Sequence, residues 1–341
     1  LQDIRERFWM GDNFLSHEKI NKSIKIIKKQ NIKLTIFEVL TVIFILNAAQ
    51  KDNDFNLIEA GALFAKDSTN VFDFPKIQAV VNINKQHLNF LKIKTLNEII
   101  YQKVGFLSNF TNIYIGKQKP QVLKKIKILL RKNKSSIQYP NLWKLSKIKN
   151  NYFYKDKKFK IRLNTKYIYS IGLLENLCLA IKIALDLKIK KKIIVKTIPK
   201  IKFKARIEYI TKGKFIRKIN KNEKILIDGC HSETSAKNLS DYLKTIKTPI
   251  YGIWGMTKNK DPNKFIKKFD SVFKKIIIVP IENEPASLSI KLLFQIAKKN
   301  NFNAAISNDI NSALKIISSK EKKLICIFGS LYLCGSFLNK N

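Results

Sequence analysis

Histidine is scarce in this chain of 341 residues, occurring only at positions 17, 87 and 231. His87 follows the apolar run 77–84, and His231 closes Asp228-Gly229-Cys230-His231 after the apolar run 224–228. Both runs read as β-strands, so both imidazoles fall just past a strand's carboxyl end, where parallel α/β sheets bind their ligands. Glu59 lies near the end of a third such run, 55–61, with Asp67-Ser68-Thr69-Asn70 close behind. A carboxylate and an imidazole converging on one sheet edge could hold a divalent cation. An imidazole that only hydrogen-bonds its own loop is the competing reading.

The elements that would position these residues alternate. Residues 34–50 suit a buried helix, with apolar side chains on most faces. The runs 55–61, 77–84 and 112–116 are apolar on both faces, as strands of a covered parallel sheet are. Helix patterns occupy 96–104, 121–132 and 173–187. Past Pro199 the rhythm is regular: strands at 224–228, 250–254, 275–280, 304–307 and 324–328, separated by helices at 234–246, 262–273, 288–300 and 310–318. This predicts an α/β fold with a second parallel sheet covered on both faces. The Lys-rich stretch 199–206 marks the boundary, dividing residues 1–200 from 201–341.

Composition narrows the function classes. With 66 Lys+Arg against 25 Asp+Glu the formal charge is +41, yet 45% of residues are hydrophobic, enough to bury a core. Only six of the basic residues are Arg (5, 7, 131, 162, 206 and 217). The Lys residues run through every segment, so the charge reads as a solvated surface and not as a specific nucleic-acid interface, which favours the Arg fork. The four Cys form no CxxC pair, pointing to a reducing, cytoplasmic setting. The longest apolar stretch, 41–49, is too short to span a bilayer.

Eight segments, in order, resemble those of the folylpolyglutamate synthase/dihydrofolate synthase family of the Mur ligase superfamily. Leu34-Thr35-Ile36-Phe37-Glu38-Val39-Leu40-Thr41 resembles the family's LTxFExLT, and residues 59–70 its EVGLGGRLDATN. Residues 82–87 resemble its strand ending in a DH pair, and residues 95–105 its TLExIAxEKAG. Further on, Ala205-Arg206, residues 228–231, residues 255–261 and residues 329–335 resemble (P)GR/AR, DGAHN, G-M-x-x-KD and GSLYLVG. The resemblance implies a Mur-ligase-like central ATPase domain followed by a Rossmann-like parallel α/β domain. It implies an ATP-dependent amide-bond ligase that joins L-glutamate to dihydropteroate or a folate through an acyl phosphate, acting as a monomer.

Site residues follow from the same resemblance. Glu59 and His87 would contact Mg²⁺, joined by Lys103 if carbamylated, since that modification turns a cation into an anion. Lys103 and His231 would be catalytic. Asn176, Arg206, Asp228, Lys260 and Asp261 would contact ATP. Some family features are missing. No G-x-x-G-K-[ST] phosphate loop occurs, and residue 1 is Leu, so a strand, phosphate loop and helix are expected to precede this stretch, leaving it inactive by itself. The family's Gly-Gly-Arg is Leu63-Phe64-Ala65, Gln86 precedes His87, Gln102 precedes Lys103, and Ser232 follows His231. These departures make a non-catalytic ligand-binding paralogue the alternative.

Overall fold

The computed structural model describes residues 2–11, 13–84, 95–258 and 260–341. It divides into two compact units, Asp3–Leu142 and Trp143–Asn341, the latter with Gln2.

In the first unit, β1 (Trp9–Met10) and β2 (Asn13–Phe14) form a short antiparallel ribbon. Helix α1 (His17–Lys29) starts at Ser16, whose hydroxyl accepts the Lys19 N–H. Helix α2 (Ile36–Ala48) starts at a capping box in which Thr35 and Glu38 satisfy each other's backbone N–H. The two helices are tied by the buried Asn47 Nδ2, which donates to Ser23 Oγ at 2.9 Å and to the Ile43 carbonyl. The helix expected at 34–50 is therefore present, but it is not buried on most faces. Ile43, Asn47 and Ala48 are covered, whereas Ile36 and Phe37 are 64% and 57% exposed; among the described residues, α1, Phe8, Leu15 and the Ser68 loop pack against the helix.

A parallel sheet follows, with β3 (Ile77–Val80), β4 (Asn112–Ile115) and β5 (Ser136–Gln138) in sequential order. Helices α3 (Leu96–Val104) and α4 (Pro120–Leu129) cover it through Ile99, Ile100, Val122 and Ile126, all essentially inaccessible. Each such buried aliphatic side chain contributes about 1.5–3 kcal/mol. The strand expected at 55–61 is not one. The segment is irregular and Leu57 is 91% exposed. Among the described residues no strand pairs with it, and an apolar run without a ladder partner has nothing to hold it extended.

The second unit opens with an antiparallel sheet that periodicity did not reveal: β6 (Trp143–Ile148), β7 (Asn151–Asp156) and β8 (Lys160–Arg162). Its Lys-rich alternation hides the buried face of Trp143, Tyr154 and Ile161. Helices α5 (Ile171–Asp186) and α6 (Lys191–Thr197) lead to β9 (Glu208–Ile210). A βα alternation then runs β10 (Glu223–Asp228), α7 (Glu233–Leu243), β11 (Ile250–Trp254), α8 (Pro262–Ile266), β12 (Lys275–Ile278), α9 (Ile290–Lys299), β13 (Ala304–Ile306), α10 (Ile310–Ile317), β14 (Lys323–Phe328) and α11 (Leu331–Lys340).

Strand order is β13-β12-β11-β14-β10-β9, parallel except for β9, which is antiparallel to β10. Alternate residues point to opposite layers. Leu226, Trp254, Ile276, Ile278, Cys326 and Phe328 pack against α7, α8 and α9. Ile225, Ile227, Ile253, Ile277 and Ile325 pack against α10 and α11. Covering on both faces is what the apolar strand runs predicted. The chain divides at 142/143, upstream of the 200/201 boundary expected from sequence, while the six-stranded sheet begins after that expected boundary, at β9.

Candidate active site

The first unit gathers its candidate residues on the loop 59–70 and the last turn of α3. Lys103 Nζ donates to the Ala62 carbonyl at 2.7 Å. The Phe64 and Ala65 N–H groups donate to the Gln102 carbonyl at 3.1 and 3.0 Å. Asp67 organises the loop from inside. Its Oδ2 accepts the Gly61 N–H at 2.8 Å, and its Oδ1 accepts from Thr69 N and Thr69 Oγ1. A Cβ at Gly61 would stand 2.8 Å from Asp67 Oδ2, so a side chain there would displace this carboxylate from its hydrogen bond. Burial pushes the Lys103 ammonium below the ordinary lysine range, and the Asp67 carboxylate partly offsets this. Asp67 thus joins Lys103 as a site residue that the sequence reading did not single out. Its signal was present in the Asp67-Ser68-Thr69 spacing, which suits a side chain turning back onto its own loop.

Glu59 is exposed and, among the described residues, makes no ion pair within 4 Å. In a chain with 66 cationic side chains, an unpaired carboxylate remains available to another cation, and hard oxygen suits Mg²⁺. His87 lies outside the described residues. Among the described residues there is no group of three or more His, Cys, Asp or Glu close enough to hold a metal by itself. Leu63, in the place of the first Gly of the family's Gly-Gly-Arg, is 5% exposed and belongs to the core beside Val80, Ile83 and Ile99.

In the second unit the carboxyl end of β10 organises the site. Asp228 is buried, with Oδ2 accepting the Ile207 N–H and Oδ1 the Cys230 N–H, each at 2.8 Å. Burial raises its pKa, opposed by the Arg206 guanidinium and these two N–H groups. Arg206 stands between two residues in left-handed backbone, Ala205 (φ 52°) and Ile207 (φ 50°). A β-branched residue there is strained. The strain is held by the Asp228 clamp, by the Ala205 N–H donating to Glu208 Oε2, and by the Gly229 N–H donating to the Ala205 carbonyl.

His231 donates from Nδ1 to the Gly229 carbonyl at 3.0 Å. That assignment leaves Nε2 as the free acceptor. Burial lowers its pKa, with Lys260 and Arg206 lowering it further, so the ring is neutral near pH 7 and two cations stand near it. Burial also lowers the Lys260 pKa. Ser232, in the place of the family's Asn, caps α7 by accepting the Ser235 N–H. Asp261 caps α8 through the Lys264 N–H at 2.9 Å. Asn176 is exposed in the second turn of α5. The geometry therefore brings Arg206, Asp228, His231 and Lys260 together, while Asp261 is engaged with its own helix.

Residues 211–340 match the family model described as dihydrofolate synthetase, C-terminal domain. The chain is 24% identical over 347 residues to the dihydrofolate synthase/folylpolyglutamate synthase of Buchnera aphidicola subsp. Schizaphis graminum, covering 98% of this chain and 78% of that protein. It is 23% identical over 350 residues to the dihydrofolate synthetase of Saccharomyces cerevisiae, covering 95% and 78%. Its fold is shared with the bifunctional folylpolyglutamate synthase/dihydrofolate synthase of Yersinia pestis, solved with AMPPNP and a Mn ion, at a TM-score of 0.84, 18% identity and coverage of 99% and 79%. Over nearly its whole length the chain is thus similar in sequence to dihydrofolate synthase/folylpolyglutamate synthases, and it shares the fold of the solved folylpolyglutamate synthases.

Proposed function

We propose that this protein is an ATP-dependent ligase that joins the amino group of L-glutamate to the carboxylate of dihydropteroate or a folate. The observation that carries the reading is the first-unit loop, where an exposed Glu59, without an ion pair among the described residues, is followed by a half-buried Lys103 docked on the Ala62 carbonyl beside Asp67. The γ-phosphoryl group of ATP passes to the substrate carboxylate, giving an acyl phosphate and ADP. The glutamate amine then attacks the acyl carbon, and phosphate leaves. Such transfers depend on positioning and on cations that neutralise developing charge.

Glu59 and His87 would hold Mg²⁺, which when bound supplies that charge neutralisation at the phosphates. A lowered Lys103 pKa increases the fraction of free amine, the form that reacts with CO₂; the resulting carbamate would add an anionic ligand. Arg206, presented by the strained linker, and Lys260 would bind phosphate oxygens, with Asn176 contacting the nucleotide. Asp228 would contact the nucleotide while keeping the linker in place, and Asp261 would keep Lys260 at the start of α8. His231 Nε2, neutral and unprotonated, would accept the proton that the attacking amine must lose.

Because the 341 residues contain no G-x-x-G-K-[ST] loop, they offer no backbone cradle of that kind to the β- and γ-phosphates. Expressed alone, they should turn ATP over poorly. The decisive assay follows ADP release by the full-length protein. ADP should form only when ATP, dihydropteroate or folate, and L-glutamate are all present; release without regard to the pterin and glutamate would refute the reading. The non-catalytic alternative is supported by Leu63, which is buried where the family has a Gly. It predicts ligand binding without ADP release.

A further inference from the structure

The exposed face of the β6–β8 sheet carries a charge arrangement that sheets ordinarily avoid. Strand register sets Lys144 opposite Lys155 and Lys155 opposite Lys160, so three lysines stand in one row across three strands. All three are exposed, and like charges directly opposite one another destabilise a sheet. The next row on that face is Ser146, Phe153 and Arg162. Residues 143–162 hold eight Lys or Arg and a single acid, Asp156. By strand alternation Asp156 belongs to the opposite face, where its carboxylate accepts the Tyr154 O–H and the Lys158 and Phe159 N–H groups. Among the described residues, Lys144, Lys155, Lys160 and Arg162 make no ion pair within 4 Å.

Neighbouring strands lie about 4.8 Å apart, so the row presents three cations over about 10 Å. That spacing suits a thin, linear anion with one charge per repeat. Polynucleotide recognition would favour Arg forks and open aromatic faces. Here three of the four cations are Lys, and the Phe153 ring lies beneath Lys160 Nζ at 5.1 Å. We propose that this sheet face binds a short linear oligocarboxylate, the oligoglutamate tail of the ligase's substrate or product, with one tail carboxylate to each lysine of the row. The proposal rests on the ligase reading for the identity of the anion, though not for the existence of the surface.

The test is equilibrium binding of a fluorescein-labelled γ-linked pentaglutamate at low salt, a measurement that needs neither ATP nor turnover. The triple variant Lys144→Gln/Lys155→Gln/Lys160→Gln should weaken binding about ten-fold, as three exposed ion pairs allow. A charge-matched control on α1, Lys22→Gln/Lys25→Gln/Lys29→Gln, should leave it unchanged. Equal losses in both variants would reduce the effect to bulk charge and overturn the proposal, as would no loss in either. Displacement of the peptide by a tighter-binding oligo-dT would also overturn it, reassigning the face to polynucleotide. Removing like-charge repulsion should leave the triple variant melting no lower than the wild type. If it fails to fold, Lys155→Gln alone must weaken binding, and no change there counts against the surface. Tail binding without ligase activity would overturn the function and leave the surface standing; ligase activity without tail binding would do the reverse.

Discussion

The carboxylate of Asp228 holds Ile207 in a backbone conformation that isoleucine rarely adopts. Oδ2 accepts the Ile207 N–H at 2.8 Å where φ is 50°, and the same carboxylate accepts the Cys230 N–H through its other oxygen. One buried acid thereby couples the end of β10 to the linker that presents Arg206. Asp228→Ala leaves two buried N–H groups unsatisfied and releases the linker. We expect a stability loss of about 1–3 kcal/mol for each orphaned donor, measured by urea unfolding. The KM for ATP should rise more than for a variant of equal instability elsewhere in the sheet. An unchanged KM would remove Arg206 from nucleotide binding.

Glu59 is exposed and, among the described residues, makes no ion pair, so its substitution separates function from folding. Glu59→Ala should leave the melting temperature unchanged while lowering ligase activity about 10²-fold or more, a typical scale for losing a group that supports transition-state charge. The Mg²⁺ concentration giving half-maximal rate should rise as well. Wild-type Mg²⁺ dependence in this variant would assign the cation to other ligands.

His231 makes a pH-dependent contribution whose sign follows from its lowered pKa. In the unfolded chain it titrates near pH 6.5, whereas the folded protein takes up that proton only at lower pH. Below about pH 6.5 the unfolded state therefore binds more protons, and stability falls as pH drops through the folded value. His231→Gln should remove this acid-side loss. Comparing urea midpoints of the two proteins between about pH 5 and pH 8, the span over which histidine titrates, should show the wild-type curve falling on the acid side relative to the variant's. Parallel curves would mean that the ring is not buried as described.

Lys323 and Glu223 form a pair sealed at the amino ends of β14 and β10, with side chains 2% and 0% exposed and 3.6 Å apart. Lys323 also donates to the Ile317 carbonyl, and Glu223 accepts from Asn220 N, Ser318 Oγ and Ser319 N. Lys323→Met leaves a buried carboxylate without its cation and should cost about 3–5 kcal/mol. Glu223→Gln in the same chain should recover part of that loss. If the double variant is no more stable than the single one, the charge pairing contributes nothing beyond the hydrogen bonds.

Much of this protein was legible in its residues. The βα alternation after Pro199 appears as strands and helices close to the expected spans, because strands buried on both faces need unbroken apolar runs such as Lys224-Ile225-Leu226-Ile227. The motif order pointed to the relatives that the chain is similar to, and the residue types at Glu59, Lys103, Arg206 and His231 limited the chemistry each could perform. Tertiary structure decided which residues gained partners. It left 55–61 without a neighbouring strand despite its apolar run, and it uncovered most of α2. It turned Asp67 inward onto Gly61 and set three lysines side by side in a sheet that periodicity had concealed. Residue patterns record which surfaces can be buried. Which of them meet is set by strand pairing and loop closure between segments far apart in the chain, and no local window contains that information.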